Sequence, residues 1–281
     1  MFPTEVQQIR LAPKSTLAWA SALYLALNCF VIFVLFPSGA LKILSRPTAG
    51  LVSPTLLANA LLLAVVVGFL RWRGGLRADD LGLRRTGLVS ALGVTLSVWL
   101  GVNLLQVAWA LVTHAPLNTS PDWYTFGAPH TLGVFFGQLL GNALFEEILF
   151  RGVLFQQIRL HLLQRGNRPA TALVLGVVIS QSIFAFIHIP LRLSSGMELT
   201  ALSGELALLF TLGSLLALLY WRTANLYVVI GVHALSNTPC LLVEQQIDLS
   251  TNGVIAAAAS LVVMLLWPNN SFKPKPLRGS A

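Results

Sequence analysis

The chain has 281 residues, 56% hydrophobic and 10% charged, with a mean hydropathy of +0.76. Soluble domains carry about 25% charged residues, so these figures exclude an ordinary globular enzyme and imply a polytopic membrane protein. The net charge of +8 does not imply nucleic acid as a partner, because the basic residues are scattered between apolar blocks and form no single patch.

A bilayer-crossing helix needs about 20 mostly apolar residues. In chain order, the blocks that approach this length are 16–36, 51–70, 88–113, 131–155, 170–190, 204–221 and 224–243. A last one, "NGVIAAAASLVVMLLWP", ends at Pro268. The expected fold is all-α: a transmembrane helix bundle of about eight spans, forming a single integral-membrane domain over residues 1–281. Fourteen of the 18 Lys and Arg residues then fall on one side, in the termini and in the second, fourth and sixth loops. Lys42, Arg46 and Arg192 fall on the other side, and Arg151 lies inside a span. Cytoplasmic loops collect basic residues, so both termini are expected in the cytoplasm, with the chain a multi-pass protein of a bacterial plasma membrane. Cys29 and Cys240 sit in apolar blocks without metal-ligand spacing and read as small buried hydrophobes.

The fourth block carries "GNALFEEILFRGVLF". A charge near the bilayer centre costs at least about 2.5–3.5 kcal/mol, so Glu146, Glu147 and Arg151 ask for a role. On a helix Glu147 and Arg151 are four apart and pair, with the acid on the favourable amino-terminal side. Glu146 is turned about 100° away and is free to face a cavity. The fifth block places Phe184 and His188 four apart in "SIFAFIHIP". The seventh places His233 and Asn237 four apart in "VIGVHALSNTP", with Pro239 expected to break the helix locally. Taken singly, each group has a structural explanation: an ionic cluster, a satisfied core histidine, an interhelical hydrogen bond. Together they bring ionisable groups from three helices, which is how a site is built in a bundle core. A carboxylate, two imidazoles and a carboxamide can activate a water and stabilise an oxyanion.

"EEILFR", "FAFIH" and "HALSN", in that order, resemble the three signature motifs of the CPBP family, the type II CAAX prenyl endopeptidase or Abi family of intramembrane proteases. The resembling core covers about 130–245. The resemblance implies an intramembrane endopeptidase that hydrolyses a peptide bond of a membrane-anchored or prenylated CAAX-type protein or peptide. It implies Glu146 as general base, His188 as a second holder of the water, and His233 and Asn237 at the oxyanion. Glu147 and Arg151 would support them, with Phe184 beside His188.

No cofactor is favoured: the chain has no HExxH, and asparagine suits hydrogen bonding better than metal ligation. A zinc version, with Glu146, His188 and His233 as ligands, stays open, as the family's metalloprotease label suggests. The alternative outside catalysis is a non-proteolytic CPBP-family scaffold or bacteriocin-immunity protein. A transporter is disfavoured by the lack of repeated halves. One tension concerns depth. His188 lies about 27 Å along a span starting at 170, whereas Glu146 is about midway along the fourth. Either the fifth helix begins below the membrane, or it tilts or breaks near Pro190.

Overall fold

Long runs of Leu, Ala, Val and Phe become helices in lipid because no other open structure satisfies the backbone. A computed structural model describes residues 9–248 and 253–268. Six of its helices are long and apolar enough to cross a membrane: α1 Lys14–Leu35, α2 Pro54–Gly74, α3 Arg85–Thr113, α4 Ala128–Gln164, α5 Pro169–Ser194 and α6 Leu199–Thr223. Two further apolar helices are shorter, α7 Leu226–Asn237 and α8 Val254–Leu266. The eight expected apolar blocks therefore all appear as helices, but only six reach spanning length. Residues 1–8 and 269–281, including Lys273, Lys275 and Arg278 on which the expected side of the carboxyl terminus rests, lie outside the described residues, as does Asn252.

The short α7 has a local cause. Thr238 precedes Pro239, and such a residue is pushed out of the helical region; it is extended, at φ −149° and ψ 92°. The seventh block was expected to run to 243, but its helix stops at Asn237. At 12 residues it rises only about 18 Å. The chain continues beside α3 as an irregular strap. Its backbone groups find partners there, as non-helical backbone at membrane depth must. Trp99 Nε1 donates to the Cys240 carbonyl at 3.0 Å, and Asn103 Oδ1 accepts from the Leu242 amide at 2.8 Å. Gln106 Oε1 accepts from the amides of Gln246 and Ile247, and its Nε2 donates to the Ile247 carbonyl at 2.9 Å. These two amides, buried in an otherwise apolar helix, tie α3 to the strap.

α4 is the central helix, and from Phe145 to Gln157 every side chain on it is buried. It widens into π-helical turns over Gly137–Asn142 and Glu147–Phe155. By contrast α3 exposes Leu96, Leu100, Leu104 and Leu111, an apolar stripe that suits lipid. α7 packs close to α3 where Gly231 meets Thr95; a Cβ at 231 would overlap the threonine hydroxyl. Asn225, at the start of α7, donates to the Gly87 carbonyl at 2.8 Å, so α3 and α7 run in the same direction from a shared level.

Candidate active site

The site forms where α4, α5 and α7 meet. Glu147 is fully buried, and its Oε1 accepts from Arg151 Nη1 at 2.9 Å and from His233 Nδ1 at 2.6 Å. Arg151 also donates to the Gly213 carbonyl on α6 at 3.3 Å. Its guanidinium lies over the Phe184 ring, 4.4 Å from the centroid. Gly213 makes that approach possible: a Cβ there would sit 3.1 Å from both Arg151 Nη2 and the Phe184 ring, and 2.8 Å from Gln181. Phe184 packs edge-on against Phe150 at 5.0 Å and against the His188 ring at 4.7 Å. The guanidinium is thus held by one carboxylate, one carbonyl and one ring face, the kind of support a buried charge requires.

Glu146 faces differently. Its Oε1 lies 3.7 Å from His188 Nε2, and its Oε2 lies 3.8 Å from His233 Nε2. Both distances exceed the range of about 2.7–3.2 Å for a direct hydrogen bond. The opposite nitrogens explain the arrangement. His188 Nδ1 is 2.7 Å from the Phe184 carbonyl, which can only accept, so that nitrogen carries the proton. His233 Nδ1 faces the Glu147 carboxylate and carries its proton for the same reason. In the neutral imidazoles, both Nε2 atoms are then acceptors turned toward a carboxylate, itself an acceptor. Three acceptors converge on one point, and a water can serve two of them at once.

Of the residues singled out in the sequence, Glu146, Glu147, Arg151, Phe184, His188 and His233 come together in this way. Asn237 stands one turn beyond His233, and its Nδ2 donates to Gln138 Oε1 at 3.1 Å. Its side chain is exposed to a cavity of about 620 Å³. Gln138 lies two turns before Glu146, and only the fold reveals its link to Asn237; no spacing rule connects 138 with 237. The depth tension resolves through α4, which runs nine residues past its expected end at 155, to Gln164. Glu146 and His188 then lie at similar heights above the α4–α5 connection. α5 also turns at Ile187 and His188 before resuming as Ile189–Ser194. That last segment is pinned to α6 by Arg192 and Glu205, at 2.6 Å.

The donor chemistry of two imidazoles and a carboxylate would suit zinc, with Glu146, His188 and His233 as ligands. Among the described residues, however, no group of three His, Cys, Asp or Glu is arranged to hold a metal ion.

Residues 128–239 match the family model described as type II CAAX prenyl endopeptidase Rce1-like. The match covers 112 of the 281 residues and identifies this stretch as an Rce1-like domain. The matched stretch begins with α4 and ends two residues past α7, so the Rce1-like region contains all three motif-bearing helices. No curated protein and no solved structure gives a significant match.

Proposed function

We propose that the chain is an intramembrane endopeptidase that cleaves a membrane-anchored or prenylated peptide with a glutamate-activated water. The observation that carries this reading is the convergence of Glu146, His188 Nε2 and His233 Nε2. A water held there donates to the carboxylate and to one imidazole, which turns its lone pair outward. As it attacks the peptide carbonyl, Glu146 takes its proton, the role a general base requires. The proton passes to the leaving amine as the C–N bond breaks.

The oxyanion needs donors. Asn237 offers one Nδ2 hydrogen while Gln138 holds the other. Neutral His233 has no hydrogen on Nε2, so it serves the oxyanion only as an imidazolium. Glu147, 2.6 Å from Nδ1, stabilises that charged form. Arg151 in turn holds the Glu147 carboxylate in place through its 2.9 Å contact. Glu147 and Arg151 therefore act through His233 and not on the substrate.

The test incubates purified full-length protein in nanodiscs with a farnesylated CAAX peptide and follows release of the residues beyond the cysteine. Turnover is expected with the unsubstituted chain and not with Glu146→Gln. It is expected to persist in a strong zinc chelator; loss that zinc alone restores would overturn the metal-free scheme. Release undiminished in Glu146→Gln would overturn the assignment of the base.

A further inference from the structure

The cavity next to Asn237 is bounded by three stretches: the α3–α4 connection from Ser120, the first turns of α4, and the strap after α7. These walls are tied to each other. Trp123 Nε1 donates to the Leu241 carbonyl at 2.7 Å, the Ser120 amide to the Leu242 carbonyl at 3.0 Å, and the Glu244 amide to the Asn118 carbonyl at 2.8 Å. At about 620 Å³ it lies within the range of about 300–1,000 Å³ typical of ligand sites, room for several residues of an extended peptide.

The acidic and basic side chains on its wall are Asp122, His130 and Glu244, with Cys240 beside them and neither Lys nor Arg among the lining residues. Glu244 Oε2 accepts from Asn118 Nδ2 at 3.0 Å, a neutral donor that leaves the carboxylate charge in place. The amino end of α4 and the carboxyl end of α7 both border the cavity, and their dipoles have opposite sign. The two carboxylates therefore set the sign of the field. The end of the substrate released by a carboxyl-terminal cut carries a carboxylate, which this wall repels. Before the cut, the segment on the amino-terminal side carries no terminal carboxylate.

Resting on the proposed hydrolysis, we infer that this cavity is the subsite for the peptide segment on the amino-terminal side of the scissile bond, and that Asp122 and Glu244 select a cationic residue there.

The experiment uses full-length protein in nanodiscs and farnesylated CAAX peptides identical except for lysine, glutamine or glutamate upstream of the prenylated cysteine. Binding is read by fluorescence anisotropy on Glu146→Gln, and kcat/KM on the unsubstituted chain. The lysine peptide is expected to exceed the glutamate peptide about tenfold in both, as charge complementarity allows. Asp122→Asn with Glu244→Gln should bring that ratio close to one, and Asp122→Lys should reverse it. Should these variants fail to fold, loss of the lysine preference of the unsubstituted chain in high salt serves instead. Equal binding of lysine and glutamate peptides, no binding of either, or a ratio that ignores both the variants and salt would overturn the subsite. Charge-selective binding without any turnover would sink the hydrolytic reading and leave the subsite standing.

Discussion

Glu147 is held by Arg151 at 2.9 Å and by His233 at 2.6 Å, while one residue earlier Glu146 stands 3.7 and 3.8 Å from its two imidazoles. The two carboxylates share a helix, a depth and near-complete burial, so the contrast comes from helical phase alone. Glu147 points where a fixed cation already waits. Glu146 points at two nitrogen lone pairs and has no fixed counter-ion in direct contact. A carboxylate locked into charge-assisted bonds gains rigidity. One left at longer range has both oxygens open to a water and accepts the cost of burial. In the proposed mechanism a base and its support are thus set one residue apart.

The sharpest way to break this comparison is to exchange the roles by substitution. Glu146→Gln keeps size and shape but removes the base. Turnover should fall by the full contribution of general-base catalysis, about 10²–10⁴-fold, with thermal unfolding in detergent little changed. Arg151→Leu should do the reverse. Removing one partner of a buried ion pair costs about 3–5 kcal/mol, so the main effect should be lower thermal stability and poor recovery from the membrane. An Arg151→Leu protein as stable as the parent would show that Glu147 needs no cation, and the division between the two carboxylates would fail.

Asn237→Ala sharpens the comparison from the other side, because this residue lies outside the acceptor cluster and bonds to Gln138. Loss of one oxyanion donor costs about 2.7–4 kcal/mol of transition-state stabilisation. The expected reading is a large fall in kcat with KM nearly unchanged. Gln138→Leu in the Asn237→Ala background should add little, since the bond between them is already gone. Additive losses would mean that Gln138 acts independently of Asn237.

The contrast between Glu146 and Glu147 was legible before any coordinates, because helical periodicity fixes which of two neighbours can reach Arg151 four residues on. The apolar blocks were legible for the same kind of reason: length and hydropathy are local properties. Pro239 signalled an interruption, yet the sequence could not say whether the helix would bend and continue or end. That depends on whether another element can satisfy the freed backbone. The partners that do so, Trp99, Asn103 and Gln106, lie about 140 residues away in sequence (separations of 139 to 141), where no periodicity connects them. Gln138 and the Arg192–Glu205 pair were missed for the same reason, since each has meaning only across two helices.

The smallest effect concerns that strap. Gln106 is 1% exposed and serves three backbone groups at once: the amides of Gln246 and Ile247 and the carbonyl of Ile247. Gln106→Leu keeps the volume and removes every partner, leaving those groups unpaired beside lipid. Each buried unsatisfied polar group costs about 1–3 kcal/mol, but the strap can swing toward the interface and recover water, so the net loss should sit near the low end of that range. The predicted signature is local: faster amide hydrogen exchange at Gln246 and Ile247, with exchange in α4 and α5 unchanged. Because the strap also walls the cavity beside Asn237, its release should raise KM more than it lowers kcat. That outcome would separate a residue that shapes the substrate's path from one that takes part in the chemistry. Unchanged exchange at 246 and 247 would mean that α3 does not hold the strap in place.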